Sequence, residues 1–192
     1  MNRYYITRRF WLTALAATLF LTGVAVSVTQ DKSHKNWIKN FGKVNENYYR
    51  GSQPAKDEYA QLKAMGIKTV IDLRRDFQVD EPGRVRSAGM QYFNIPLQSS
   101  KAATTEQTDY FLQLVDDPNN WPVYVHCKGG RHRTGALTAI YRIKHDGWTA
   151  DQAYKEMTEF DFNNGFFGGP TDQKNFVYSY YQKQLTSKSM NH

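Results

Sequence analysis

An α/β domain built on one mostly parallel sheet is predicted by this sequence, on three observations. Short apolar and β-branched runs alternate with stretches of helical spacing from about residue 47 onward, the order in which parallel strands are joined by helices that cover the sheet on both faces. A chain of 192 residues is long enough for one domain with a sizeable core and too short for two comfortable ones. Hydrophobic residues at 40% and charged residues at 22% are an ordinary globular balance and argue against disorder.

The first thirty residues are expected to be a leader outside the fold. Arg3, Arg8 and Arg9 precede an almost unbroken apolar or small-residue run over 10–28, and charge returns with Asp31 and Lys32. Such a run is long enough to span a bilayer. Ala25 and Ser27 also offer a small-x-small cleavage site, so a signal peptide and an anchor both stay open. Thr7-Arg8-Arg9-Phe10-Trp11-Leu12 resembles a twin-arginine export signal. A basic flank left inside implies a domain outside the cytoplasm, periplasmic or anchored to the inner membrane. Residues 31–46, polar and basic with isolated Trp37, Ile38 and Phe41, read as a linker, and 47–187 as the domain.

Within the domain, 55–65 has helical spacing through Tyr59, Leu62 and Met65 and stops at Gly66. Residues 68–73, centred on Val70 and Ile71, read as a buried strand. A second helix is expected over 81–88 with Gly89 closing it, then a strand at 91–95 and a loop beginning at Pro96. Thr104 or Thr105 can cap a third helix whose apolar face is Phe111, Leu112 and Val115, with Pro118 just past its end. Residues 122–126 form a short strand that runs straight into Cys127. After it, 134–144 reads as helix stopped by Gly147, and Thr149 with Gln152 is a capping-box pattern for another. The stretch 163–169 is rich in Gly and Phe.

Lys and Arg outnumber Asp and Glu by 25 to 18, which favours anionic partners. No recognition helix, zinc finger or RNA-binding signature accompanies the charge, so a phosphorylated substrate is expected and nucleic acid is not. With a single cysteine in the chain, neither an intrachain disulfide nor a multi-cysteine metal site can form.

That cysteine opens the segment Cys127-Lys128-Gly129-Gly130-Arg131-His132-Arg133-Thr134-Gly135. A turn from strand to helix aims successive backbone N–H groups and a helix N-terminus into one concavity, a ready cradle for phosphate. Gly129 and Gly130 permit the curvature. The same donors and nearby cations lower a thiol's pKa, so Cys127 is expected to attack phosphorus as a thiolate. Arg133 can fork two N–H donors onto two phosphoryl oxygens, a role a lysine would lose. Thr134 is placed to donate its hydroxyl to the sulfur when thiolate departs, and it is also an ordinary helix-start residue. His126 either orients the loop through its backbone or is a satisfied histidine at a strand end. Lys128, Arg131 and His132 add charge beyond one phosphate's need, as substrate contacts or as a general field. Nothing in this chemistry requires a metal or other cofactor.

The Cys-x5-Arg loop followed by Thr134-Gly135 resembles the signature of the protein tyrosine phosphatase superfamily, and the short chain its dual-specificity branch. The Val123-Tyr124-Val125-His126 run before the loop strengthens the likeness, as do Tyr49-Arg50-Gly51-Ser52-Gln53-Pro54, Val70-Ile71-Asp72-Leu73-Arg74 and Gly147-Trp148. The resemblance covers about residues 41–160. It implies hydrolysis of phosphate monoesters through a phosphocysteine intermediate, and it places Arg50, Asp72 and Arg74 in structural ion pairs around the site. The charged loop is also similar to that of plant and fungal atypical dual-specificity phosphatases, which act on inositol pyrophosphates, and partly to phosphoinositide phosphatases. A slow or inactive phospho-ligand binder is the remaining alternative.

One feature of the superfamily is missing. The Asp that protonates the leaving oxygen usually follows the strand before the third helix, where this chain reads Ile95-Pro96-Leu97-Gln98-Ser99-Ser100-Lys101. Glu106, Asp109 and Asp161 are the candidates left, although Glu106 and Asp109 near a helix start also serve simply to complement its dipole.

Overall fold

The computed structural model describes residues 37–75, 80–164 and 169–190. The expected leader, its arginines and apolar run, the first part of the linker and residues 165–168 lie outside the described residues. Among the described residues no helix is long and apolar enough to cross a membrane.

Five strands form one sheet: β1 (Gly42–Asn45), β2 (Tyr48–Ser52), β3 (Thr69–Arg74), β4 (Gln91–Leu97) and β5 (Val123–Cys127), in the order β1-β2-β5-β3-β4. β2, β5, β3 and β4 run parallel, and β1 alone is antiparallel, to β2. The helices are α1 (Glu58–Ala64), α2 (Glu81–Ser87), α3 (Thr105–Asp116), α4 (His132–His145), α5 (Ala150–Glu159) and α6 (Thr171–Met190).

The sheet is buried on both faces, as parallel strands require. Val70 and Tyr124 pack under α1 and α2 with Tyr59, Leu62 and Val85. Ile71, Val123 and Val125 face the larger cluster, with Phe111 of α3, Leu137 and Ile140 of α4, Met157 of α5 and Val177 of α6. β5 is the middle strand, and side chains alternate across it. That alternation puts His126 on the α1–α2 side and Cys127 on the α4 side.

Several boundaries differ from those expected. Pro96 lies inside β4, not in a loop; β4 is an edge strand, where a missing N–H costs no ladder bond. β1 lies inside the stretch read as linker, and Ile38 and Val44 there are buried. Only one of its faces is covered and its pairing partner follows at once, so a four-residue strand of Gly, Lys, Val and Asn left no periodicity to read. α4 begins two residues earlier than expected, at His132. Thr104, rather than Thr105, caps α3, and Thr149 caps α5; both form complete capping boxes, with Gln107 and Gln152.

α4 is clamped to α5 by a buried pair. Arg142 donates to Glu156 at 2.7 Å and stacks 4.5 Å from the Trp148 ring. The helix that carries the site's arginine thus has a fixed seat.

Candidate active site

Cys127 is the last residue of β5, 3% exposed, and α4 starts five residues later. The loop between them is turned by donors that stand behind it. The Gln53 N–H reaches the Lys128 carbonyl at 3.4 Å, the Asn40 side-chain amide the Gly129 carbonyl at 2.9 Å, and the Arg50 guanidinium the Gly130 carbonyl at 2.7 Å. In a trans peptide the C=O and the next N–H point oppositely. Drawing three successive carbonyls outward therefore turns the N–H groups of Gly129, Gly130 and Arg131 toward the cleft. Gly130 is obligatory: its φ is +66°, and a Cβ there would sit 2.5 Å from the Gly51 carbonyl carbon. Gly129 has no such constraint; a Cβ there would meet only the Arg131 side chain, at 3.3 Å.

Burial pushes the Cys127 thiol up, but the Thr134 hydroxyl and N–H, the Arg133 charge and the Gly129 N–H outweigh it and hold its pKa below the ordinary thiol value. The Thr134 hydroxyl is fully buried and acts on the sulfur, lowering the thiol's pKa. Arg133, also buried, donates to the Leu97 carbonyl at 3.3 Å. A pocket of about 260 Å³ opens above the sulfur, lined by Ser99, Cys127, Lys128, Gly129, Arg131, His132 and Arg133. A thiol of lowered pKa, inward N–H groups and a guanidinium in one small pocket can hold a phosphoryl group in line with sulfur.

The loop's other cations divide. Arg131 donates to the Asn164 carbonyl at 2.6 Å, and the His132 ring lies 3.0 Å from the Phe162 carbonyl and edge-on to the Phe162 ring. Both line the pocket while being tied to the segment after α5. Burial, then Arg131 and Arg133, lower the His132 pKa, so it is neutral at pH 7. Lys128 is exposed at the rim. Glu106 and Asp109 are exposed on α3, Asp161 sits in the turn after α5, and none of the three lines the pocket.

His126 faces away from the pocket. Its Nδ1 lies 3.3 Å from the Cys127 carbonyl, and its Nε2 is 3.1 Å from Glu81. Glu81 is buried as well: it accepts from Tyr59 at 2.7 Å and pairs with Arg74, which also pairs with Asp72 at 2.8 Å. Burial lowers the His126 pKa, yet Glu81 and Asp72 outweigh it and the net direction is upward. Asp72, Glu81 and His126 come close enough for a metal, but the Arg74 guanidinium lies among them and already supplies the positive charge.

Several contributors left little trace in sequence. Arg50 is fully buried yet forms no ion pair among the described residues; besides holding Gly130, it stacks 4.0 Å from the Phe160 ring. The expectation of an ion pair is thereby corrected for Arg50, and met for Asp72 and Arg74. Asn40 and Gln53 act from segments far from the loop in sequence. Gln173 of α6 is buried and donates to the carbonyls of Ser99 and Lys101, both at 3.2 Å, pinning the loop that brings Ser99 to the pocket.

Comparison with known proteins agrees with this geometry. The family described as DSP-PTPase phosphatase fused to NAD+ kinase matches residues 24–178. The dual specificity protein phosphatase TpbA of Pseudomonas aeruginosa PAO1 is 26% identical over 175 residues, covering 85% of this chain and 77% of that protein. The inositol diphosphatase DSP2 of Oryza sativa is 28% identical over 126 residues, covering 63% and 61%. Among solved structures, the core catalytic domain of the PP-IP phosphatase SIW14 from S. cerevisiae, in complex with citrate, superposes with a TM-score of 0.66 at 21% identity, over 85% of this chain and 96% of that one. P. aeruginosa TpbA superposes with a TM-score of 0.59 at 24% identity, over 83% and 99%. With the family match spanning most of the chain and the loop geometry in agreement, this chain belongs to the DSP-PTPase family of the dual-specificity protein tyrosine phosphatase superfamily.

Proposed function

We propose that the chain is a cysteine-dependent phosphatase that hydrolyses phosphate monoesters through a phosphocysteine intermediate on Cys127. The observation that carries this reading is a buried sulfur whose pKa is held down at the floor of a small pocket that Arg133 also lines. In the first step the Cys127 thiolate attacks phosphorus, the S–P bond forms and the bond to the leaving oxygen breaks. Arg133 and the inward N–H groups carry the charge on the equatorial oxygens. In the second step water attacks phosphorus and the S–P bond breaks. The Thr134 hydroxyl donates to the departing thiolate, and the water's proton passes to solvent.

No carboxylate lines the pocket among the described residues. Leaving groups that depart without a proton, such as a phenolate, are therefore turned over faster than alkoxides. Full-length wild-type protein is expected to hydrolyse a generic aryl phosphate in the presence of chelator, and vanadate or thiol alkylation to block it. Cys127→Ser keeps phosphate binding and loses turnover; unchanged turnover in that variant removes the nucleophile assignment.

A second reading, action on a polyphosphorylated small molecule or lipid headgroup, is favoured by the cationic pocket lining of Lys128, Arg131 and Arg133. Relatives bearing the name inositol diphosphatase occur beside the protein phosphatases. The domain is proposed to lie outside the cytoplasm, on the strength of Arg8 and Arg9 before the apolar run 10–28. Protease added to intact spheroplasts is expected to degrade the domain, and full protection would place it in the cytoplasm.

A further inference from the structure

The catalytic pocket does not end at Arg133. Beside it lies a second concavity of about 450 Å³, lined by Arg75, Leu97, Gln98, Ser99, Ser100 and Arg133. Ser99 and Arg133 line both, so the two cavities adjoin across these side chains. Its polar lining consists of two guanidinium groups, two serines and one amide, with no carboxylate among the described residues. Arg75 is exposed and has no hydrogen-bond or ion-pair partner among the described residues. It follows directly on Arg74, whose side chain is locked to Asp72, so its backbone is held at the end of β3. The opposite wall is held too, because Gln173 fixes the Ser99 carbonyl and the exposed Lys101–Asp172 pair closes the same loop onto α6.

We infer that this concavity is a subsite for a second phosphoryl group of the substrate, with Arg75 as its cationic anchor and the Ser99–Ser100 loop as its polar wall. The inference deepens the phosphatase reading and rests on it. A monoester phosphate placed on the Cys127 cradle lies against Arg133, and a neighbouring phosphoryl group on the same molecule reaches the cavity that Arg133 shares. The selective contact is therefore expected from Arg75, at the end of β3, and not from Arg131 or His132, which already engage carbonyls of the segment after α5. The second phosphoryl group comes either from a soluble polyphosphate or from a lipid headgroup.

The test is calorimetric titration of the full-length Cys127→Ser protein, which binds phosphate without turning it over, and of the same protein carrying Arg75→Ala or Lys128→Ala, with orthophosphate and with tripolyphosphate, alongside vesicles carrying a bisphosphorylated inositol lipid. The Cys127→Ser parent is expected to prefer tripolyphosphate or the vesicles over orthophosphate, and Arg75→Ala to cut that preference about tenfold, the size of one charge-assisted contact. A loss seen with tripolyphosphate assigns a soluble ligand, and a loss confined to vesicles assigns a lipid. Equal preference with and without Arg75→Ala, or a loss that follows Lys128→Ala alone, overturns the subsite. Activity of the wild type on aryl phosphate is measured separately, so an inactive wild type would count against the phosphatase reading while the binding ratio still decides the subsite.

Discussion

The lowered pKa of the Cys127 thiol is owed to groups on both sides of it. Thr134, Arg133 and the Gly129 N–H act from the loop and α4, and these were legible in the sequence because they lie within seven residues of the sulfur. Arg50 was not legible as a loop anchor. It comes from β2, eighty residues earlier, and only the parallel pairing that sets Gly51 beside His126 brings it beneath Gly130. Its buried charge also acts on the sulfur through space, and each of the two groups, when ionised, favours the charged form of the other. Arg50→Met keeps the bulk over Phe160 while removing both the charge and the hydrogen bond. The pH midpoint for alkylation of Cys127 is expected to rise and aryl phosphate turnover to fall at least tenfold, with Arg50→Lys restoring part of the midpoint shift. An unmoved alkylation profile in Arg50→Met would reduce Arg50 to packing. Gly130→Ala is expected to be harsher, because the methyl group meets the Gly51 backbone rather than a movable side chain; strain of this kind is of order 1–3 kcal/mol.

At the level of elements, the start of α5 was readable from Thr149 and Gln152, since a capping box is written in adjacent residues, while the cap of α3 stayed open between Thr104 and Thr105 although Thr104 and Gln107 form the same box. What each helix does for the site was not readable, and α2 is the example. Its first residue, Glu81, is buried between Tyr59, Arg74 and His126, and it links the α1–α2 layer to the strand that delivers Cys127. Acid in a first helical turn reads as dipole compensation, and only the fold reveals it as the partner of a buried histidine. Because the His126 pKa is raised in the folded protein, its contribution to stability is fully present below the unfolded value of about 6.5. That contribution is lost as pH rises through the folded value. Glu81→Gln removes the partner of two buried cations, and breaking such a pair costs about 3–5 kcal/mol. Thermal unfolding of wild type and Glu81→Gln across pH 6–9 is expected to show the widest gap at the acid end, narrowing as His126 deprotonates. A gap that stays constant or widens toward pH 9 would mean that His126 is neutral throughout.

Over the whole molecule, the alternation of strands and helices was enough to predict a parallel sheet covered on both faces, because the central strands β3 and β5 are compact, largely apolar runs, whereas β2, Tyr-Tyr-Arg-Gly-Ser, left no such signal. The edges escaped. β1 is short and exposed on one side, and α6 carries aromatic residues around its circumference without a clean apolar stripe, although Gln173 at its start fixes the loop that supplies Ser99. The fold thereby converges three separated segments on one sulfur: β2 beneath the loop, the β4–α3 loop beside it and the segment after α5 above it. The claim that unites these parts is that Cys127 becomes covalently phosphorylated during turnover. The most direct measurement is rapid acid quench of the full-length protein mixed with aryl phosphate, followed by peptide mass spectrometry. One phosphoryl group on the peptide containing Cys127, absent from Cys127→Ser and accumulating when Thr134→Ala slows its hydrolysis, is the predicted result. Turnover by wild type with no phosphorylated Cys127 at any quench time, or a phosphoryl group on another residue, would contradict the account.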